Sequence, residues 1–179
     1  MKKSSTVIVY TGDGKGKTTA SLGLLLRSLG TGHKVAFIQF IKAWTTSEDA
    51  SLAKLIEAFP EQLIHHKKGI GFFYNNETQD KQPHEQAARQ AFKLALESAS
   101  SGEYDLVICD EINNAVADDL LDRQSLVELL EKHHKNTSLC LTGRGFPADL
   151  LNQVDIATDM TKLKHHYDDG FLASKGLDF

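Results

Sequence analysis

The chain has 179 residues, a net charge of -4, 41% apolar residues and two cysteines. That length suits one α/β domain over residues 1–179 that buries its core without disulfides or structural metals. The acidic balance argues against nucleic acid as a partner, and no apolar run approaches the roughly 20 residues needed to span a bilayer, so a cytoplasmic protein with no membrane contact is expected.

Val7, Ile8 and Val9 form a β-branched run that predicts a buried strand. Thr11-Gly12-Asp13-Gly14-Lys15-Gly16-Lys17-Thr18-Thr19 follows, and Leu22, Leu25, Leu26 and Leu29 then repeat at helical spacing. Strand, glycine turn and helix in that order are the context a P-loop requires. Glycines let backbone N–H groups converge on an anion, and the helix N-terminus adds positive potential. Lys17 would reach a phosphate oxygen, and the Thr18 hydroxyl is placed to hold Mg2+, while Thr19 is a candidate helix cap. Thr11 stands where the usual pattern has its first glycine.

Lys34 to Phe40 predicts a second strand, completing a β-α-β unit and so a parallel pair. A helix is expected from about Glu48 to Ala58, then a short strand at Gln62 to His66. Gly69 to Asn76 has too many glycines for an element interior and too many aromatics for an idle linker. Pro83 opens a helix running to about Ser100, with Ala88, Ala91, Phe92, Ala95 and Ala99 on one face.

Tyr104 to Cys109 is an apolar strand delivering Asp110 and Glu111 at its C-terminal end. Leu126, Leu129 and Leu130 mark a further helix, Ser138 to Leu141 a further strand, and Val154 to Phe179 one or two more strands. Repeated β-then-α order implies a doubly wound, mostly parallel sheet. In such sheets ligands sit at the carboxyl ends of the strands, so the P-loop, Gln39 to Lys42, Asp110-Glu111 and Thr142 to Arg144 are expected to share one location.

An acidic residue closing a strand opposite a P-loop is the expected partner for magnesium, and Asp110 and Glu111 both qualify. Arg144 is a candidate phosphate contact. Only four arginines occur, Arg27, Arg89, Arg123 and Arg144, which counts against a nucleotide kinase, whose transferred group is commonly clamped by several guanidinium groups. Cys109 and Cys140 sit in apolar strands and read as core. The paired histidines at 65 and 66, 133 and 134, and 165 and 166 read as surface residues.

Several segments resemble the P-loop type of ATP:corrinoid adenosyltransferase. They are TGDGKGKTTA (11–20), VAFIQFIK (35–42), GIGF (69–72), YDLVICDEIN (104–113), LTGRG (141–145), VDIATDM (154–160), KHHYDDG (164–170) and the GLDF end. The resemblance implies a P-loop NTPase fold of the RecA-like kind. It implies a reaction in which the cobalt(I) of a reduced corrinoid attacks the 5′ carbon of ATP and inorganic triphosphate leaves. ATP would be held by Gly12, Asp13, Gly14, Lys15, Gly16, Lys17, Thr18 and Thr19, with Arg27 and Arg144 helping, and Mg2+ by Thr18 and Glu111. Lys17, Glu111 and Asp110 would carry the catalytic work.

Phe72 matches the family phenylalanine that displaces the corrinoid's lower axial ligand, and Tyr74 stands where a tryptophan is usual. Trp44 reads equally as a corrinoid contact or a surface aromatic. The resemblance also implies a homodimer and a flavin-type reductase as electron donor. The competing readings are a P-loop ATPase or small-molecule kinase, which would release ADP, and a non-catalytic, ATP-dependent corrinoid-binding module.

Overall fold

The structure is a computed structural model and describes residues 5–74 and 79–178. Asn75, Asn76 and Phe179, named above in the aromatic loop and the C-terminal motif, lie outside the described residues.

Strands β1 (Val7–Thr11), β2 (Val35–Gln39), β3 (Leu63–Lys67), β4 (Leu106–Asp110), β5 (Ser138–Thr142) and β6 (Ile156–Asp159) form one sheet in the order β3-β2-β4-β5-β1-β6. Every neighbouring pair is parallel. The helices are α1 (Lys17–Leu29), α2 (Ser47–Ala58), α3 (Lys81–Ser101), α4 (Ile112–Ala117) and α5 (Arg123–Lys132). Short 3-10 turns occupy Ala148–Gln153 and His166–Asp169.

Central strands read as unbroken apolar runs because helices cover both faces of the sheet. Ala36, Ile38, Val107, Cys109, Leu139 and Leu141 face α3, α4 and α5. Their alternates Val35, Phe37, Leu106, Ile108 and Cys140 face α1 and α2, where Leu25, Leu29 and Leu52 close the second core. The alternation is the period-two rule of a strand applied to two cores at once. Both cysteines are fully buried thiols, as expected. In α3 the buried row Ala88, Ala91, Ala95 and Ala99 lies against the sheet.

The C-terminal stretch adds one strand, β6, within the one or two expected, and its four residues are all exposed. Two local expectations need adjustment. Helix α3 starts at Lys81, with Asp80 accepting from the Gln82 amide, so Pro83 is its third residue rather than its first. The histidine pairs are half-buried rather than on open surface.

Register decides what meets at the carboxyl edge. Gln39 lies beside Asp110, Tyr10 beside Thr142, and Thr11 beside Asp159. Strand β5 intervenes between the P-loop strand β1 and the carboxylate strand β4.

Candidate active site

The loop between β1 and α1 turns on Gly12 and Gly16, with φ of +95° and +113°. Gly16, not Thr19, is the helix cap, and no side chain caps α1. Its first-turn amides are left without a side-chain acceptor, as an anion-binding helix start requires. The far side of the loop is walled by the residues after β6. The Gly14 amide donates to the Met160 carbonyl at 2.5 Å, and a Cβ on Gly12 would overlap Asp159 Oδ1 and stand 2.7 Å from the Met160 oxygen. Thr11, Gly12, Asp13, Gly145, Phe146, Asp159, Thr161 and Lys162 line a cleft of about 540 Å3 there. A second hollow, of about 610 Å3, lies between α3 and the turn into α5, and none of the P-loop or strand-end residues lines it.

Lys17 Nζ donates to the carbonyls of Gly12 at 2.7 Å and Gly14 at 2.6 Å. Burial, helped by the nearby Arg144 charge, pulls its pKa below the usual lysine value despite Asp13, Glu111 and Asp159. Across the site Asp110 is completely buried. Its Oδ1 accepts from the hydroxyls of Thr18 at 2.9 Å and Thr142 at 2.8 Å, and its Oδ2 from Gln39 Nε2 at 3.1 Å. Gln39 Oε1 in turn meets His65 Nε2 at 2.9 Å, so His65 belongs to this buried network.

Glu111 follows in a left-handed conformation, φ +66°, as the residue that opens α4. Its amide donates to Thr142 Oγ1 at 2.9 Å, while its Oε2 is buried with no hydrogen-bond partner. Burial and the adjacent Asp110 charge raise its pKa to about 7, against the opposing pull of Lys42 and Lys17. An orphaned buried carboxylate oxygen beside a Thr18 hydroxyl suits a hard divalent cation with oxygen ligands. Among the described residues no cluster of three or more His, Cys, Asp or Glu could cage a metal alone, so phosphate oxygens and water would complete the shell.

Lys42 reaches the same place. Its Nζ is 2.9 Å from Glu48 Oε1, 3.5 Å from Asp110 Oδ2 and 3.5 Å from Thr18 Oγ1. Burial lowers its pKa, but Asp110, Glu48 and Glu111 outweigh that and hold it above the usual lysine value.

Beside Lys42 the backbone of Ile41 accepts from the Gly71 amide at 2.8 Å, and Gly69 approaches Ile41 so closely that a Cβ would overlap its backbone. This fixes the glycine-aromatic loop against the end of β2. The rings of Trp44 and Phe72 lie 5.3 Å apart and those of Phe72 and Tyr74 6.3 Å, so three aromatics with 41%, 38% and 61% exposure form one row.

The structure thus brings together the P-loop, Gln39 to Lys42, Asp110, Glu111 and Thr142 to Arg144. Arg144 makes a long, exposed ion pair with Asp13 at 3.8 Å. Arg27 stands apart, exposed on the last turn of α1, about 15 Å along the helix axis from Lys17. Lys15 points away from the phosphate loop toward the C-terminal segment, donating to the Leu177 carbonyl at 2.5 Å and pairing with Asp178 at 3.4 Å. Sequence reasoning placed Gln39, Lys42 and Thr142 at the ligand end of their strands but gave them no individual role. Gln39 did carry a signal, as the lone polar residue inside an apolar strand.

Comparison with known proteins agrees with this geometry. The family model described as "ATP:corrinoid adenosyltransferase BtuR/CobO/CobP" matches residues 3–179. Corrinoid adenosyltransferases of Pseudomonas aeruginosa and Escherichia coli K12 are each 33% identical over 97% of this chain, covering 83% and 85% of their own lengths. The corrinoid adenosyltransferase CobA of Salmonella typhimurium is 31% identical over 97% of this chain and 85% of its own length. With a P-loop facing a strand-end carboxylate pair, and with the match running through nearly every residue, this chain belongs to the ATP:corrinoid adenosyltransferase family.

Proposed function

We propose that the strand-end site performs adenosyl transfer from ATP to a reduced corrinoid, with the roles assigned as follows. The observation carrying the reading is that the phosphate loop, the Asp110-Glu111 pair and the end of β2 meet at the carboxyl edge of one sheet, with the exposed aromatic row following that end of β2. Cobalt(I) of the corrinoid supplies the electron pair for the new cobalt–carbon bond. The C5′–O bond of ATP breaks, and its electrons leave with inorganic triphosphate. No protein base or nucleophile is needed, so the protein's contribution is positioning and stabilisation of leaving-group charge.

The segment from Gly12 to Thr19 binds the triphosphate through its amides, except that of Gly14, which donates to Met160, with Asp13, Lys15 and Thr19 as exposed parts of that segment. Lys17 exchanges the Gly12 and Gly14 carbonyls for phosphate oxygens, and Arg144 adds an outer contact. Thr18 and Glu111 would hold Mg2+, with Asp110 orienting the Thr18 hydroxyl. When bound, the cation neutralises charge on phosphate oxygens. Phe72 and Tyr74, joined by Trp44, offer a broad apolar face for the flat macrocycle. Arg27 has a role only if the nucleotide, or a second copy of the chain, extends that far.

Residues 1–179 are taken as one domain acting in the cytoplasm as a homodimer, with a flavin-type reductase as electron source. Among the described residues no helix is long and apolar enough to cross a membrane.

The test is anaerobic mixing with magnesium-ATP and chemically reduced cob(I)alamin, following the visible spectrum and identifying the phosphate product by phosphorus NMR. Adenosylcobalamin with triphosphate is the expected result. ADP with an unchanged corrinoid spectrum would replace the reading with an ATPase or kinase.

A further inference from the structure

A lysine ammonium has three N–H donors. That of Lys42 has one acceptor at normal distance, Glu48 Oε1 at 2.9 Å, and two long ones, Asp110 Oδ2 and Thr18 Oγ1, both at 3.5 Å. Distances of 3.5 Å lie beyond the usual range for an N–H donor, so two donors of a cation whose side chain is only 13% exposed are poorly satisfied. They lie beside Thr18, whose backbone closes the phosphate loop. Lys17 is the other ammonium of this loop, bonded to the Gly12 and Gly14 carbonyls.

The site is also rich in negative charge for one meant to receive a polyphosphate. Asp110, Glu111 and Glu48 all act on Lys42, and Lys17 and Lys42 oppose the charge of Glu111. A polyphosphate bearing several charges, flanked by three carboxylates, is held more tightly with a second ammonium close by.

We propose that Lys42 is a second triphosphate-binding ammonium, held in reserve by Glu48 and turned onto phosphate oxygens when the nucleotide enters. Glu48 sits in the first turn of α2 and keeps the cation in the site while no anion is present. When phosphate arrives, Lys42 leaves its two long contacts for charge-assisted bonds of ordinary length. Two ammonium groups then flank the leaving group from opposite sides of Thr18. The identity of that leaving group rests on the adenosyl-transfer reading; the affinity for polyphosphate does not.

The experiment is calorimetric titration of inorganic triphosphate into the full chain, with magnesium and with a chelator, for wild type, Lys42→Met and Glu48→Gln. Thermal melting of each is recorded alongside. Lys42→Met is expected to weaken triphosphate binding by ~10- to 100-fold under both conditions, the effect of one charge-assisted bond. Glu48→Gln is expected to tighten it severalfold by releasing the competitor.

Binding by Lys42→Met within about twofold of wild type, or weakening only when magnesium is present, would overturn the proposal. Should Lys42→Met not fold, Glu48→Gln decides, and unchanged or weaker binding there would overturn it. Wild-type adenosylation of cob(I)alamin is assayed on the same preparation. Its absence with the triphosphate pattern intact would remove the reaction but keep Lys42 as a polyphosphate ligand.

Discussion

Thr18 and Asp110, 92 positions apart in sequence, share a 2.9 Å hydrogen bond that ties the first turn of α1 to the end of β4. The same carboxylate oxygen accepts from Thr142 on β5, so three elements converge on one buried atom. Buried carboxylates of this kind are costly unless fully bonded. Replacing Asp110 with Asn should therefore lower stability as well as activity, which separates it from the loop residues.

Lys17→Ala should cut turnover by ~100- to 1000-fold, the range seen when one donor to developing negative charge is removed. Stability should fall by about 1 kcal/mol, the net worth of a typical hydrogen bond. Steady-state rates and thermal melting together check this, and a rate near that of wild type would remove Lys17 from the phosphate site.

Gly12→Ala should abolish nucleotide binding. The position combines φ +95° with a Cβ that would overlap Asp159 and crowd the Met160 backbone, so alanine strains the backbone and displaces the wall at once. Gly23→Ala, in open space on α1, is the control and should bind normally, with slightly better helix stability. Equilibrium binding of ATP distinguishes the pair.

Glu111 gives a pH dependence of definite sign. Its carboxyl titrates near 4.5 in the unfolded chain and about 7 when folded. Between those values the folded state holds the extra proton, so metal-free stability is highest at the acid end and falls as pH rises through the window. If Glu111 holds the cation as proposed, binding of magnesium-nucleotide should strengthen over the same range and release protons. Glu111→Gln should flatten both profiles. Melting curves between pH 5 and 8, with and without magnesium-ATP, read the effect.

Phe72→Ala and Trp44→Ala should each weaken corrinoid binding while leaving ATP affinity within about twofold, because their rings pack on one another in the proposed corrinoid face. Quenching of Trp44 fluorescence on corrinoid titration offers a direct readout. Loss of ATP affinity with corrinoid affinity intact would move the aromatic row out of the proposed pocket.

Much of the fold was legible because the strands are short apolar runs closed by glycines or charges, and because α1 and α3 repeat at helical spacing. The meeting of Gly12 to Lys17 with Asp110 and Glu111 followed from parallel topology alone. Helix α4 was not legible, since six residues after a left-handed Glu111 leave no periodic signal. Lys42 was placed at the ligand edge by the strand pattern, but its reach was not legible. Only the structure, with Gln39 beside Asp110 and Lys42 Nζ near Asp110 and Thr18, shows that this lysine turns inward. The segment from 160 onward has weak periodicity because backbone contacts such as Lys15 to Leu177 hold it, not an apolar face.

The wall behind the phosphate loop carries a consequence for how the protein is made. Strand β1 is synthesised some 150 residues before its β6 neighbour and before Met160, which receives the Gly14 amide. The nascent chain therefore has its phosphate-binding sequence long before it has the shape, and competence to hold a nucleotide arrives only once β6 and Met160 have been made.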